Sequence, residues 1–183
     1  MGEILANWDE SDGSPYNYHL ERPSFQYEEP TWRIVPYDQC RASYNNHKKG
    51  IKSIFVGNLR LWTLHLIENV EISTLITHSE EHLSYIDIED ENINVPLKVY
   101  LDYPFSVCVE AEIFPLRRKE LYETEYHGYF PVGYLFWQVA KVYAEIYKNH
   151  WEEVGVWGHG LSDLIVNGCE IYEDYSVMVV LSS

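Results

Sequence analysis

Basic residues are scarce in this 183-residue chain: 13 Lys and Arg stand against 29 Asp and Glu, a formal charge of −16. A phosphate backbone repels such a surface unless its cations gather on one face. The two basic clusters, Lys48-Lys49 with Lys52 and Arg117-Arg118-Lys119, are short, and glutamates flank the second. Neither nucleic acid nor an anionic membrane is therefore expected as a direct partner. Cysteine is scarce too. Cys40, Cys108 and Cys169 are odd in number, far apart and never in a CxxC pair, which argues against a zinc ribbon and a disulfide framework alike. No N-x-Ser/Thr acceptor occurs, the opening residues hold no apolar run of signal-peptide type, and nothing approaches the ~18 apolar residues of a membrane span. The expectation is an intracellular, cytoplasmic protein that touches no membrane.

Aromatic residues, by contrast, are plentiful: six Trp, 16 Tyr and six Phe. Aromatics bury much area for few rotamers lost, and Tyr and Trp keep a polar handle at contact surfaces. With 46% of residues hydrophobic, a sizeable core is available to a single domain. Residues 1–30 read as an extended or disordered tail, rich in Asp, Glu, Ser and Pro and punctuated by Trp8, Tyr16, Tyr18, Phe25 and Tyr27. Residues 31–183 read as one domain.

Trp32–Val35 predicts a short strand closed by Pro36, and Tyr37–Gly50 a polar loop. Ile51–Ile67 is rich in strand formers and predicts two strands broken at Gly57-Asn58. Ile72–Ile76 and Tyr85–Ile88 predict further short strands. Val95, Leu97, Val99 and Leu101 alternate with polar neighbours, as do Val107, Val109, Ala111 and Ile113, which predicts a hairpin turned through Asp102–Phe105. Leu116–Glu125 reads as a brief helix or a solvated loop. Val132, Leu135, Phe136, Val139, Tyr143, Ile146 and Tyr147 recur at helical spacing and predict one long helix ending near Asn149. Glu170–Tyr172 and Ser176–Leu181 then form a closing hairpin. The fold class expected is α+β, a largely antiparallel sheet packed with one long helix.

The motifs that carry chemistry are near misses. Ser53–Leu59 resembles the first signature of an RNA-recognition motif, but the aromatic second signature is missing and Arg60–His65 reads as continuing strand. His78-Ser79-Glu80-Glu81-His82 puts Ser where a zincin needs the Glu that reaches the metal-bound water. Gly160-Leu161-Ser162-Asp163-Leu164 puts Leu where the nucleophile elbow needs a small residue. The spacing of Gly155, Gly158 and Gly160 matches no phosphate or dinucleotide loop, so no cofactor is implied. Trp157, His159 and Asp163 in this loop remain as the candidate interaction residues, with no catalytic and no metal-ligating set assigned.

Pro30 before Trp32-Arg33-Ile34 is followed by Gly128-Tyr129-Phe130-Pro131-Val132-Gly133-Tyr134-Leu135 at the helix start. Then come Tyr143, Ile146-Tyr147, Gly155-Val156-Trp157-Gly158-His159, Asp163-Leu164 and Gly168. On these residues the C-terminal third resembles an uncharacterised family of large DNA virus proteins with distant fungal relatives. That family has no established activity, so the resemblance implies a viral protein of unknown function, in the cytoplasm or the virion, and no residue role. The function expected is a non-enzymatic interaction or structural module, binding a protein partner or itself. The alternative is a hydrolase-like enzyme with a non-standard site near Trp157, His159 and Asp163.

Overall fold

The computed structural model describes residues 27–44, 49–67, 85–87, 95–114 and 129–183. The strands are β1 (Thr31–Val35), β2 (Gly50–Arg60), β3 (Tyr85–Asp87), β4 (Leu97–Leu101), β5 (Cys108–Ile113), β6 (Tyr129–Pro131), β7 (Ile165–Tyr172) and β8 (Val177–Ser182). The helices are α1 (Tyr37–Tyr44), α2 (Leu61–Leu66) and α3 (Val132–Glu145). Six strands form one sheet in the order β1-β5-β4-β8-β7-β2, and β3 pairs with β6 in a separate ribbon. Within the large sheet only β4 and β8 run parallel; the other pairs are antiparallel. The chain is thus an α+β protein. Among the described residues no helix is long and apolar enough to cross a membrane.

The sheet is sided by simple alternation. Leu97, Val99 and Leu101 of β4 and Val109, Ala111 and Ile113 of β5 face α3, joined by Val166, Cys169, Ile171, Val177 and Val179. From Val132 to Ala140, α3 is buried on every side, because the sheet takes one face and α2, with the segment around Tyr27, takes others. Each large side chain so buried contributes ~1.5–3 kcal/mol. The strap at Tyr27–Glu29 is fastened to α3 by the Tyr27 ring edge-on to Trp137 and by Lys141. The Lys141 ammonium donates to Tyr27 Oη (2.9 Å) and to Glu29 Oε1 (2.7 Å). The opposite sheet face carries a smaller cluster of Val35, Cys40, Tyr100, Cys108, Tyr172 and Met178 beneath α1.

The hairpin β4–β5 has the expected register, from Leu97 opposite Ile113 to Leu101 opposite Val109, and β7–β8 closes the chain as expected. Four expectations need correction. Tyr37–Tyr44 is helical where a loop is predicted: the helix follows Pro36 and is tied to β5 by a Cys40–Cys108 disulfide. The expectation that the cysteines indicate no disulfide framework missed this single bond, since partners 68 residues apart leave no spacing signal. Leu61–Leu66 is a helix where a second strand is predicted, because Leu61 and Leu64, three apart, are both buried where α2 meets α3. The long helix also outruns Asn149. It passes through a π-turn at Ile146–His150 into Trp151–Val154, where buried Val154 anchors it and left-handed Gly155 caps it (φ 70°). The expected elements at Ile72–Ile76 and Leu116–Glu125 lie outside the described residues.

Candidate functional site

The loop that leaves the long helix is set by glycines. Gly155 sits against Ser106, whose side chain a Cβ there would strike, and the Ser106 amide and hydroxyl both donate to Val154 O (3.1 Å each). That clamp projects the following residues outward, and Trp157 is left 69% exposed. Gly158 turns the chain with φ 83°. His159 is half-buried; its carbonyl accepts from Tyr147 Oη (3.0 Å), its ring lies 5.8 Å from that of Tyr103, and its Nε2 is 3.5 Å from Ser183 Oγ. Ser183 Oγ in turn meets Tyr103 Oη at 2.7 Å. Burial, with the nearby Asp163 carboxylate, pushes the Tyr147 phenol up to about 12, so it stays a neutral donor to that carbonyl.

Asp163 does structural work in this loop. Its Oδ2 accepts from the Gly160 amide (2.9 Å) while its own amide donates back to Gly160 O (3.0 Å), which closes the 3₁₀ turn Leu161–Asp163. No hydrogen bond joins Asp163 to His159, so the loop does not assemble the carboxylate–imidazole–hydroxyl relay that acyl transfer requires. Trp157, His159 and Asp163 are neighbours in sequence serving three separate ends: an exposed ring, a packed imidazole and a turn cap. His78 and His82 lie outside the described residues. Among the described residues no three His, Cys, Asp or Glu side chains gather to hold a metal ion.

A second polar cluster, not singled out by sequence, lies across the sheet. Glu110 on β5 is 1% exposed and its carboxylate accepts four hydrogen bonds. Arg33 Nε (3.1 Å) and Nη2 (2.9 Å) bind Oε1; Gln39 Nε2 (3.1 Å) and Tyr100 Oη (3.0 Å) bind Oε2. Every acceptor direction is filled from inside the protein, so the group joins β1, α1 and β4 and presents no reactive face.

The third feature is the strand β2. It forms one edge of the large sheet, and along its 11 residues only Ile54 is buried. Phe55 stands 83% exposed and Ile51 55% exposed. From Gln39 to Ile67 the chain contains no acidic residue, while Arg41, Lys48, Lys49, Lys52 and Arg60 fall in that span. This acid-free run is the available signal, but alternation alone does not reveal that the strand is an edge. The helix after this strand also removes one objection to a ribonucleoprotein-like reading, that Arg60–His65 continues as strand, while the second aromatic signature is still missing. No family model, curated protein or solved structure matches this chain, so its function is argued from this geometry.

Proposed function

We propose that this protein is a non-enzymatic interaction module that docks a protein partner, or a second copy of itself, through exposed apolar side chains of the sheet edge. The observation that carries this reading is Phe55, a large aromatic side chain 83% exposed on an edge strand beside exposed Ile51. Aromatic side chains are enriched at protein contact surfaces, and exposed apolar side chains that lie together mark such surfaces. Trp157, on its glycine-set loop, is the next most exposed ring among the described residues and the second candidate contact. The dispersed roles of His159 and Asp163 support a binding role over hydrolysis. An intracellular home, with the virion as the viral variant of it, must accommodate the Cys40–Cys108 bond, since disulfides are rare in reducing compartments.

The test places a photo-crosslinking phenylalanine analogue at position 55 of the full chain, in the cell that makes it, with the same analogue at Glu152 as control. A discrete adduct at 55, to another protein or to a second copy, is the expected result. A monomer in sedimentation that yields no adduct from 55 or from 157 refutes the reading.

A further inference from the structure

A second docking surface, separate from the sheet edge, lies on α3. Helical spacing brings Tyr134, Trp137, Gln138 and Lys141 to one side of that helix, and the strap Tyr27–Glu29 lies across them. Each contact uses a different chemistry. The Tyr27 ring meets Trp137 edge-on at 4.8 Å, and the Lys141 ammonium stands 4.2 Å from the Tyr27 ring and 4.9 Å from the Trp137 ring. Glu29 pairs with the same ammonium at 2.6 Å, and Gln138 Nε2 donates to the Glu28 carbonyl at 3.2 Å. Tyr27 and Glu29 reach α3 while Glu28 stays exposed, the alternation of an extended segment.

Gln138 shows that this occupant fits only in part. Its side chain is 0% exposed, yet its Oε1 accepts no hydrogen bond. The Glu28 carbonyl can only accept, which fixes Nε2 towards the strap. A primary amide set against an extended backbone can pair twice, donating to a carbonyl and accepting from an N–H. Only the donating half is made, and a buried acceptor left empty is costly. The strap's other ties are weak by position. The Glu29 carboxylate is 69% exposed, and ion pairs so exposed contribute little. Thr31, two residues beyond, is already in register with β5, so that link positions the strap as well as its own contacts. We infer that this face of α3 is a docking site for an extended partner segment of the pattern aromatic–x–Asp/Glu, which Tyr27–Glu29 occupies in cis as a resident competitor. The partner's ring lies on Trp137 and its carboxylate on Lys141. The N–H and C=O of its middle residue complete both halves of the Gln138 pair. A segment must then displace a tethered copy of its own motif, present at high effective concentration, which sets a threshold for binding.

The probe is the fluorescein-labelled peptide Ser-Thr-Tyr-Thr-Glu-Thr-Ser, read by anisotropy against the full chain. Tyr27→Gly with Glu29→Gly removes the competitor's two side chains and should tighten binding about tenfold over the natural chain. Lys141→Met in that background should abolish saturable binding. Methylating the backbone nitrogen of the peptide's middle Thr should weaken binding about tenfold, and Gln138→Leu should erase that difference. In the natural chain, hydrogen exchange at the Glu28 and Glu29 amides should speed up as peptide is added, a readout that needs no variant to fold. Equal affinity of the natural chain and the strap variant overturns the competitor role. A strap variant that loses stability without gaining peptide makes the strap purely structural and overturns the site. Equal binding of the methylated and parent peptides overturns the amide pairing. A dimer that the peptide dissociates assigns the face to the strap of a second copy, against a foreign partner. Crosslinking from position 55 is independent of all these outcomes, so the sheet-edge reading stands or falls by its own test.

Discussion

Removing the exposed member of the Arg33–Glu110 pair should cost more stability than removing the buried one. The Arg33 side chain is 65% exposed and that of Glu110 is 1% exposed. In Arg33→Met the carboxylate stays buried with two neutral donors, Gln39 and Tyr100, and no cation; such stranded charges cost about 3–5 kcal/mol. In Glu110→Leu the guanidinium swings into water and exposed Gln39 rehydrates, so the loss is that of hydrogen bonds to the carboxylate and not of a stranded charge, at about 1–3 kcal/mol. The Arg33→Met/Glu110→Leu double variant should resemble Glu110→Leu alone, because the stranded charge is gone. Urea denaturation reads this directly, as midpoint shifts at constant m-value. For a chain of this length, thermal midpoints should drop about 2–4 °C per kcal/mol. Additive effects in the double variant, or a loss for Arg33→Met no larger than for Glu110→Leu, would sink the argument.

Other outcomes follow from burial and close approach. His65 is partly desolvated near the Lys141 cation and its Nδ1 is buried without a partner, which holds its imidazolium form below the ordinary 6.5. The unfolded chain then binds the extra proton as pH falls through about 6.5, so stability should decline on acidification there and level off below the folded value; His65→Phe should remove that slope in a urea series across pH. Thiol titration should find no reactive group in the native protein and one after denaturation without reductant. Cys169 is buried, its thiol pushed up to about 12 by desolvation first, and Cys40 is bonded to Cys108. Cys40→Ser with Cys108→Ser should lower stability by about 4 kcal/mol, the entropy of the loop that this bond closes. Gly168→Ala should be strongly destabilising, because its Cβ would meet the Ile54 carbonyl across the β2–β7 ladder.

Legibility in the sequence tracks how much each segment owes to its own pattern. Alternation is unambiguous in β4 and β5 because one face enters the core, as with Leu97, Val99 and Leu101 against exposed Lys98. The long helix is equally plain, since its stripe from Val132 to Ile146 repeats at no other period. Leu61-Trp62-Thr63-Leu64 is ambiguous: over six residues the strand and helix periods overlap, and only the presence of α3 decides between them. Helix α1 has little apolar stripe of its own and owes its place to Cys40, a tether invisible in spacing. The candidate loop is legible as a glycine-set turn around Trp157. Phe55 is not legible as exposed, because edge or centre depends on which strand lies alongside.

The position of β8 bears on how the protein is made. The last strand in chain order lies in the middle of the sheet, between β4 and β7. On the ribosome, β1, β5 and β4 can associate early, and β2 must wait for β7 at a distance of more than a hundred residues. The two groups have no shared ladder until Val177–Ser182 emerges and bonds to both, parallel on one side and antiparallel on the other. Nascent chains should therefore resist protease late and abruptly, and folding should be slow for the size, as non-local pairings demand. Until then the flanks of β4 and β7 are open edges, the surface that a chaperone would have to cover.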